Sequence, residues 1–105
     1  MELIKIYDET CDICLMLAEF DKEIAKSYQM SFKQVTVEEL AQTNSLLKDY
    51  VIPIYVTPND GMIDLPIYLL VTPQDEIQAS GVIQTVEELN NLINSWIKWA
   101  SFKSV

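Results

Sequence analysis

"ELIKIY" (Glu2–Tyr7) is a short, mostly apolar run carrying β-branched Ile4 and Ile6 and closed by polar "DET". It is too short for a free-standing helix and reads as a buried strand. From Asp12 onward the period changes. Ile13, Met16, Leu17, Phe20 and Ile24 recur at helical spacing while Glu19, Asp21, Lys22, Glu23 and Lys26 fall mostly elsewhere, which predicts an amphipathic helix from the cysteines to near Tyr28. "MSFKQVTV" (Met30–Val37) alternates apolar and polar residues as a second strand would.

"TVEEL" occurs twice, at Thr36–Leu40 and Thr85–Leu89. An internal duplication could produce the repeat. Physics offers a simpler account, two independent helix starts, because Thr at an N-cap with Glu three residues later forms a capping box. Glu38, Glu39, Glu87 and Glu88 also suit the positive end of a helix dipole. The first of these helices is expected to reach about Lys48. The second runs from Val86 with Leu89, Leu92, Ile93, Trp96 and Ala100 on one face, a stripe that reads as core rather than as a cofactor box.

Between them, "PIYVTPND" (Pro53–Asp60) and "PIYLLVTPQD" (Pro66–Asp75) are apolar runs closed by proline-containing turns, the second being the stronger strand. "IQASGV" (Ile77–Val82) is close enough in sequence to pair back on Ile67–Val71 as an antiparallel hairpin. The predicted order is β-α-β-α-(loop)-β-β-α, with "DYVIPIYVTPND" (Asp49–Asp60) either an extra strand or a loop beside the active site.

With 105 residues, half of them hydrophobic, and no linker-like or low-complexity stretch, residues 1–105 are expected to form a single domain. Seven basic residues against sixteen acidic ones give a formal charge of −9. No Lys/Arg cluster could neutralise a row of phosphates, so nucleic acid and membrane surfaces are poor partners and basic protein surfaces better ones. No run approaches the ~20 apolar residues of a membrane span, and "MELIKIYDET" lacks the regions of a signal peptide. A reducing cytoplasm is the expected location.

In that compartment a close cysteine pair is more often catalytic, redox-sensing or metal-binding than a staple. Cys11 and Cys14 stand at i and i+3. Two such thiols at a helix start can close a small disulfide ring. First-turn N–H groups and the dipole favour a thiolate there, making Cys11 the nucleophile and Cys14 the resolving thiol. A zinc site needs about four ligands, and the chain has no histidine and no third cysteine; only a dimer sharing two pairs, or carboxylate ligands, could supply it. Two inert buried cysteines remain an alternative, since CxxC alone is a moderately specific signal. Placement between a buried strand and an amphipathic helix raises the redox reading.

"IYDETCDIC" as strand, loop and cysteine helix, "GMIDLPIYLLV" as a later proline segment and "ASGVIQTVEELNNLI" as final strand and helix together resemble the thioredoxin superfamily, over nearly the whole chain except Tyr50–Asp60. The resemblance implies a three-layer α/β fold, a mixed four-stranded sheet with helices on both faces. It implies a cis-proline facing the cysteines, carried onto Pro66, with Leu65 before it offering backbone hydrogen bonds to an extended substrate. Pro53 competes for that role on spacing, but would leave one strand too many; an ordinary trans proline at a strand's first residue is the bland alternative for Pro66. Gly81 falls where thioredoxins carry a glycine near the active site.

The departures are specific. Thr10 stands where thioredoxins have tryptophan, and Asp12-Ile13 replaces Gly-Pro. Lys5 aligns with the buried acid that assists the resolving thiol. Pointing inward it would favour thiolates; snorkelling to the sheet edge it would do nothing. Asp8, Glu9 and Asp12 surround Cys11 with negative charge, opposing the helix end.

The implied activity is dithiol-disulfide exchange with protein disulfides. Cys11 and Cys14 are catalytic, and Thr10, Asp12, Ile13, Leu65, Pro66 and Gly81 line the docking surface. No cofactor beyond the Cys11–Cys14 disulfide, no metal, a monomeric state and a separate reductase that recharges the pair are expected. A glutathione-linked reductase is the nearer rival, although Leu65-Pro66 and a single Gly81 match the glutathione-site patterns weakly. A redox-inert module docking a basic partner is the further one.

Overall fold

A computed structural model describes residues 1–42, 46–57 and 61–103. The first strand, β1 (Glu2–Tyr7), is central. It pairs in parallel with β2 (Ser31–Thr36), from Glu2 opposite Ser31 to Tyr7 opposite Thr36. On its other side it pairs antiparallel with β3 (Ile67–Val71). The outer strand β4 (Ile77–Val82) returns antiparallel on β3 with a register shift between Leu70 and Val71. The sheet order is therefore β2-β1-β3-β4, a mixed four-stranded sheet. All five residues of β3 are buried, as expected of an interior strand covered on both faces.

The alternation of β1 divides the core. Leu3 points to the face covered by α1 (Asp12–Ser27) and α4 (Val86–Lys103), where it joins Leu17, Ile24, Tyr68, Leu70, Leu89 and Ile93. Ile4 and Ile6 point to the opposite face, where they join Val35, Ile67 and Leu69 beneath Leu40 of α2 (Val37–Gln42) and Val51 of α3 (Leu46–Tyr55). The expected three layers are present. Both helix starts at "TVEEL" are capped as their sequence predicts: Thr36 Oγ1 accepts from Glu39 N at 3.0 Å and Thr85 Oγ1 from Glu88 N at 3.1 Å.

Three expectations are corrected. The helix expected to reach Lys48 ends at Gln42, residues 43–45 lie outside the described residues, and a separate α3 starts at Leu46. The Asp49–Asp60 segment is neither strand nor plain loop through Tyr55. It is the rest of α3, with Pro53 exposed inside it, followed by a single bridge from Val56 to Ile63; residues 58–60 lie outside the described residues. Helix wins because Leu47, Tyr50, Val51 and Tyr55 fall on one face against the sheet, and the Tyr50 and Tyr55 hydroxyls meet Ser80 Oγ of β4 at 3.0 and 2.6 Å.

The third correction concerns α1. Its buried stripe is Cys14, Leu17, Asp21, Ile24 and Ala25, whereas Met16 and Phe20 are 53% and 42% exposed. Packing takes the face that carries Cys14, so the hydrophobic residues one step behind it turn outward.

The end of α1 sets the angle at which the chain enters β2. Gln29 N donates to Lys26 O at 3.0 Å and Met30 N to Ala25 O at 2.9 Å, the paired bonds of a Schellman cap. Gln29 adopts φ 59° there, a left-handed conformation that costs a side-chain-bearing residue more than glycine. Gln29→Gly is therefore expected to stabilise the protein by about 1 kcal/mol, read as a higher urea midpoint at unchanged m-value.

Candidate active site

Beyond Tyr7 the chain makes a tight turn, closed by Cys11 N donating to Asp8 O at 3.0 Å and by Thr10 N donating to Asp8 Oδ1 at 3.1 Å. The turn delivers Cys11 to the N-cap of α1 in an extended conformation, φ −86° and ψ 108°. Cys11 Sγ accepts from Cys14 N at 3.1 Å. A cysteine thus takes the capping role usually given to Ser, Thr or Asp. Cys11 and Cys14 are joined as a disulfide with their Cα atoms 5.2 Å apart. The two cysteines differ in access: Cys11 is half-buried while Cys14 is 1% exposed.

The Leu65–Pro66 peptide bond is cis, and Pro53 sits inside α3. Ile67 pairs with Ile6, so one step further Pro66 lies level with Tyr7, at the end of the sheet where the cysteine turn leaves β1. Pro66 is buried and its carbonyl accepts from Ile83 N at 3.1 Å, while Leu65 is half-buried against the α2–α3 side of the core. Thr10 and Asp12 are exposed beside Cys11, and Ile13 packs on the α1–α4 core. Gly81 lies in β4, one register step from the Ile67–Val82 pair. It faces Tyr68 across the β3–β4 ladder, and an added Cβ would meet Ile83 and Leu92 side chains at 3.8 and 4.0 Å.

Lys5 points inward. It is 1% exposed, and its Nζ donates to the carbonyl oxygen of Cys14 at 2.7 Å and to Asp21 Oδ2 at 2.5 Å. The Tyr68 hydroxyl donates to the other carboxylate oxygen, Oδ1. The ammonium also stands 5.6 Å from the centre of the Tyr68 ring, within cation–π range. Among the described residues Lys5 and Asp21 are the buried charged groups. Burial first, then the hydrogen bond to Asp21 and that carboxylate's charge, push the Tyr68 phenol far above the ordinary tyrosine range, so it stays a donor at every physiological pH.

Asp21 and Tyr68 are the site residues that the sequence pattern did not single out, and the expectation that Asp21 belongs to the polar side of α1 is overturned. A signal was present. Asp21 follows Cys14 by seven and Leu17 by four, two turns and one turn along the same stripe, so an acid there needs a buried cation to satisfy it.

Beside the turn that precedes Cys11, Asp8 and Glu9 with Thr36, Val37 and Glu38 line an acidic cleft of about 130 Å³. Among the described residues no group of three or more His, Cys, Asp or Glu could hold a metal ion. No helix among them is long and apolar enough to cross a membrane.

No family model matches the chain, and no curated protein matches it in sequence. Among solved structures, that of the reduced Schistosoma mansoni thioredoxin pre-protein is similar with a TM-score of 0.65 and 17% identity, over 90% of this chain and 76% of that one. The fold is thioredoxin-like. A disulfide-bonded cysteine pair stands at the start of its first helix.

The buried pair leads to a stability prediction. Lys5→Met leaves the Asp21 carboxylate buried without its cation and should cost roughly 3–5 kcal/mol, whereas Lys5→Met with Asp21→Leu should cost far less, compared by urea unfolding. Tyr68 leads to a pH dependence. Its folded value lies above the unfolded one of about 10, so its contribution is whole below pH ~10 and is lost as pH rises beyond that toward the folded value. The urea midpoint should fall more steeply above pH ~10 in the wild type than in Tyr68→Phe; equal slopes would contradict the assignment.

Proposed function

We propose that this protein is a dithiol-disulfide oxidoreductase acting on protein disulfides. The observation that supports this most is the asymmetry of the pair: a half-buried cysteine at the N-cap of α1, disulfide-bonded to a buried one in the first turn. In the reduced form the N–H of Cys14, 3.1 Å from Cys11 Sγ, is a ready donor to a Cys11 thiolate at the positive end of a sixteen-residue helix.

Cys11 attacks a partner disulfide, forming a mixed disulfide and expelling one partner thiolate. Cys14 then attacks Cys11 Sγ, closing the intramolecular bond and releasing the second partner sulfur. Two electrons pass to the partner, and a reductase returns them to the pair. The redox group is the cysteine pair itself, with no further cofactor or metal.

Thr10, Asp12 and Ile13 around Cys11, with Leu65-Pro66 at the same end of the sheet, form the docking surface, and the backbone at Leu65 receives an extended substrate segment by strand addition. Gly81, opposite Tyr68 in β4, completes that surface. The protein works as a monomer in a reducing cytoplasm.

Cys14→Ser should accumulate a mixed disulfide with a model protein substrate, and Cys11→Ser should abolish turnover, both read on non-reducing gels and by a reductase-coupled assay. A Cys14→Ser protein that traps nothing, with Cys11 alkylating no faster than a free thiol, would overturn the reading. Efficient reduction of the oxidised protein by glutathione would move it to the glutathione-linked class.

A further inference from the structure

The exchange reading leaves one chemical demand unmet. Cys14 must become a thiolate to resolve the mixed disulfide, yet it is 1% exposed, and burial disfavours the charged form of a thiol. In β1, where the resemblance implies a carboxylic acid, this chain carries Lys5. Its ammonium lies between Asp21 and the main chain of Cys14, 2.5 Å from the carboxylate and 2.7 Å from the Cys14 carbonyl oxygen. Both Asp21 oxygens accept, one from Lys5 and one from Tyr68, and of the two charges it is the ammonium that bonds directly to Cys14, at its carbonyl oxygen.

Resting on that exchange reading, we propose that Lys5 is a positioning residue for the resolving step, its ammonium fixed by Asp21 and Tyr68 against Cys14 so as to favour the Cys14 thiolate. The Cys14 thiol gives up its proton and its sulfur attacks Cys11 Sγ. The Cys11–Cys14 bond forms, the bond between Cys11 and the partner breaks, and the departing partner sulfur leaves with the electron pair and takes up a proton. The cysteines are oxidised and the partner disulfide is reduced, with Lys5 gaining and losing nothing.

The other titratable groups of the elements packed there oppose this effect or stand away from it. Asp8, Glu9 and Asp12 in the turn and first turn of α1 are negative, and Tyr68 stays a neutral phenol because its folded value is raised. β4 carries no titratable residue, and Glu87, Glu88 and Lys98 of α4 are exposed. Lys5 is the buried cation among the described residues.

The experiment labels the single remaining cysteine of a Cys11→Ser protein with ¹³C at Cβ and titrates it by NMR. With Lys5 in place, Cys14 should ionise at or below the ordinary thiol value of about 8.5 despite its burial. Removing the pair together, Lys5→Met with Asp21→Leu, should raise it by at least about one unit, and Lys5→Arg should bring it back. An unchanged titration in the folded double variant overturns the proposal. If that variant does not fold, a Cys14 titration above ~9.5 with Lys5 present overturns it alone, since burial then accounts for the value.

Stopped-flow reaction of the reduced protein with an aromatic disulfide that releases a coloured thiolate at each step separates the two readings. The double variant should keep the first release, by Cys11, and slow the second, by Cys14, about tenfold at pH 7. Absence of the first release in the wild type defeats the exchange reading itself. Both releases intact in the double variant defeat only the role of Lys5.

Discussion

Lys5 and Asp21 are each 1% exposed, and dehydrating two such ions costs several kcal/mol apiece unless geometry returns it. The geometry here is demanding. The ammonium needs a carboxylate from α1 and a carbonyl from the first turn of the same helix, and the carboxylate needs a phenol from β3. Meeting all of them ties α1 to both central strands at a defined rotation and places Cys14 directly over Lys5. The buried stripe of α1 therefore runs through Cys14 and Asp21, and Leu15, Met16 and Phe20 remain outside. A hydrophobic-only interface would have turned the helix toward its larger apolar residues.

That rotation also makes the two cysteines unequal. Cys11 is held half-buried at the N-cap by the Asp8–Cys11 turn, and Asp8 and Glu9 of that approach line an acidic cleft with Glu38. Cys14 is enclosed above a cation. Access thus divides along the pair: Cys11 is half-buried at the helix N-cap, and Cys14 is buried with its carbonyl oxygen on the Lys5 ammonium. The cleft carries the same sign as the net charge of −9.

Much of this architecture is legible in the order of residues alone. Period changes locate β1, α1, β2, the β3–β4 hairpin and α4, because these elements are patterned by the neighbours they must cover. Thr36 and Thr85 announce their helix starts through local chemistry that needs no tertiary partner. The order of elements favours Pro66 over Pro53, and the cis bond before Pro66 with Pro53 inside α3 agrees with that order. The α3 segment escapes such a reading because "YVIPIYV" combines β-branched residues with a proline, a strand-like local signal. Its helical form rests on contacts with residues far along the chain, Ser80 among them.

The sequence by itself determined the order of elements, the cysteine pair at a helix start and the proline segment that follows, since each is written in spacing or in residues adjacent along the chain. Only the tertiary structure decided which side of α1 is buried, that Lys5 turns inward, and that Asp21 and Tyr68 receive it. Those outcomes depend on Asp21 meeting partners 16 and 47 positions away in the chain at one place, and whether a buried ion is satisfied is a property of the assembled core that no local pattern contains.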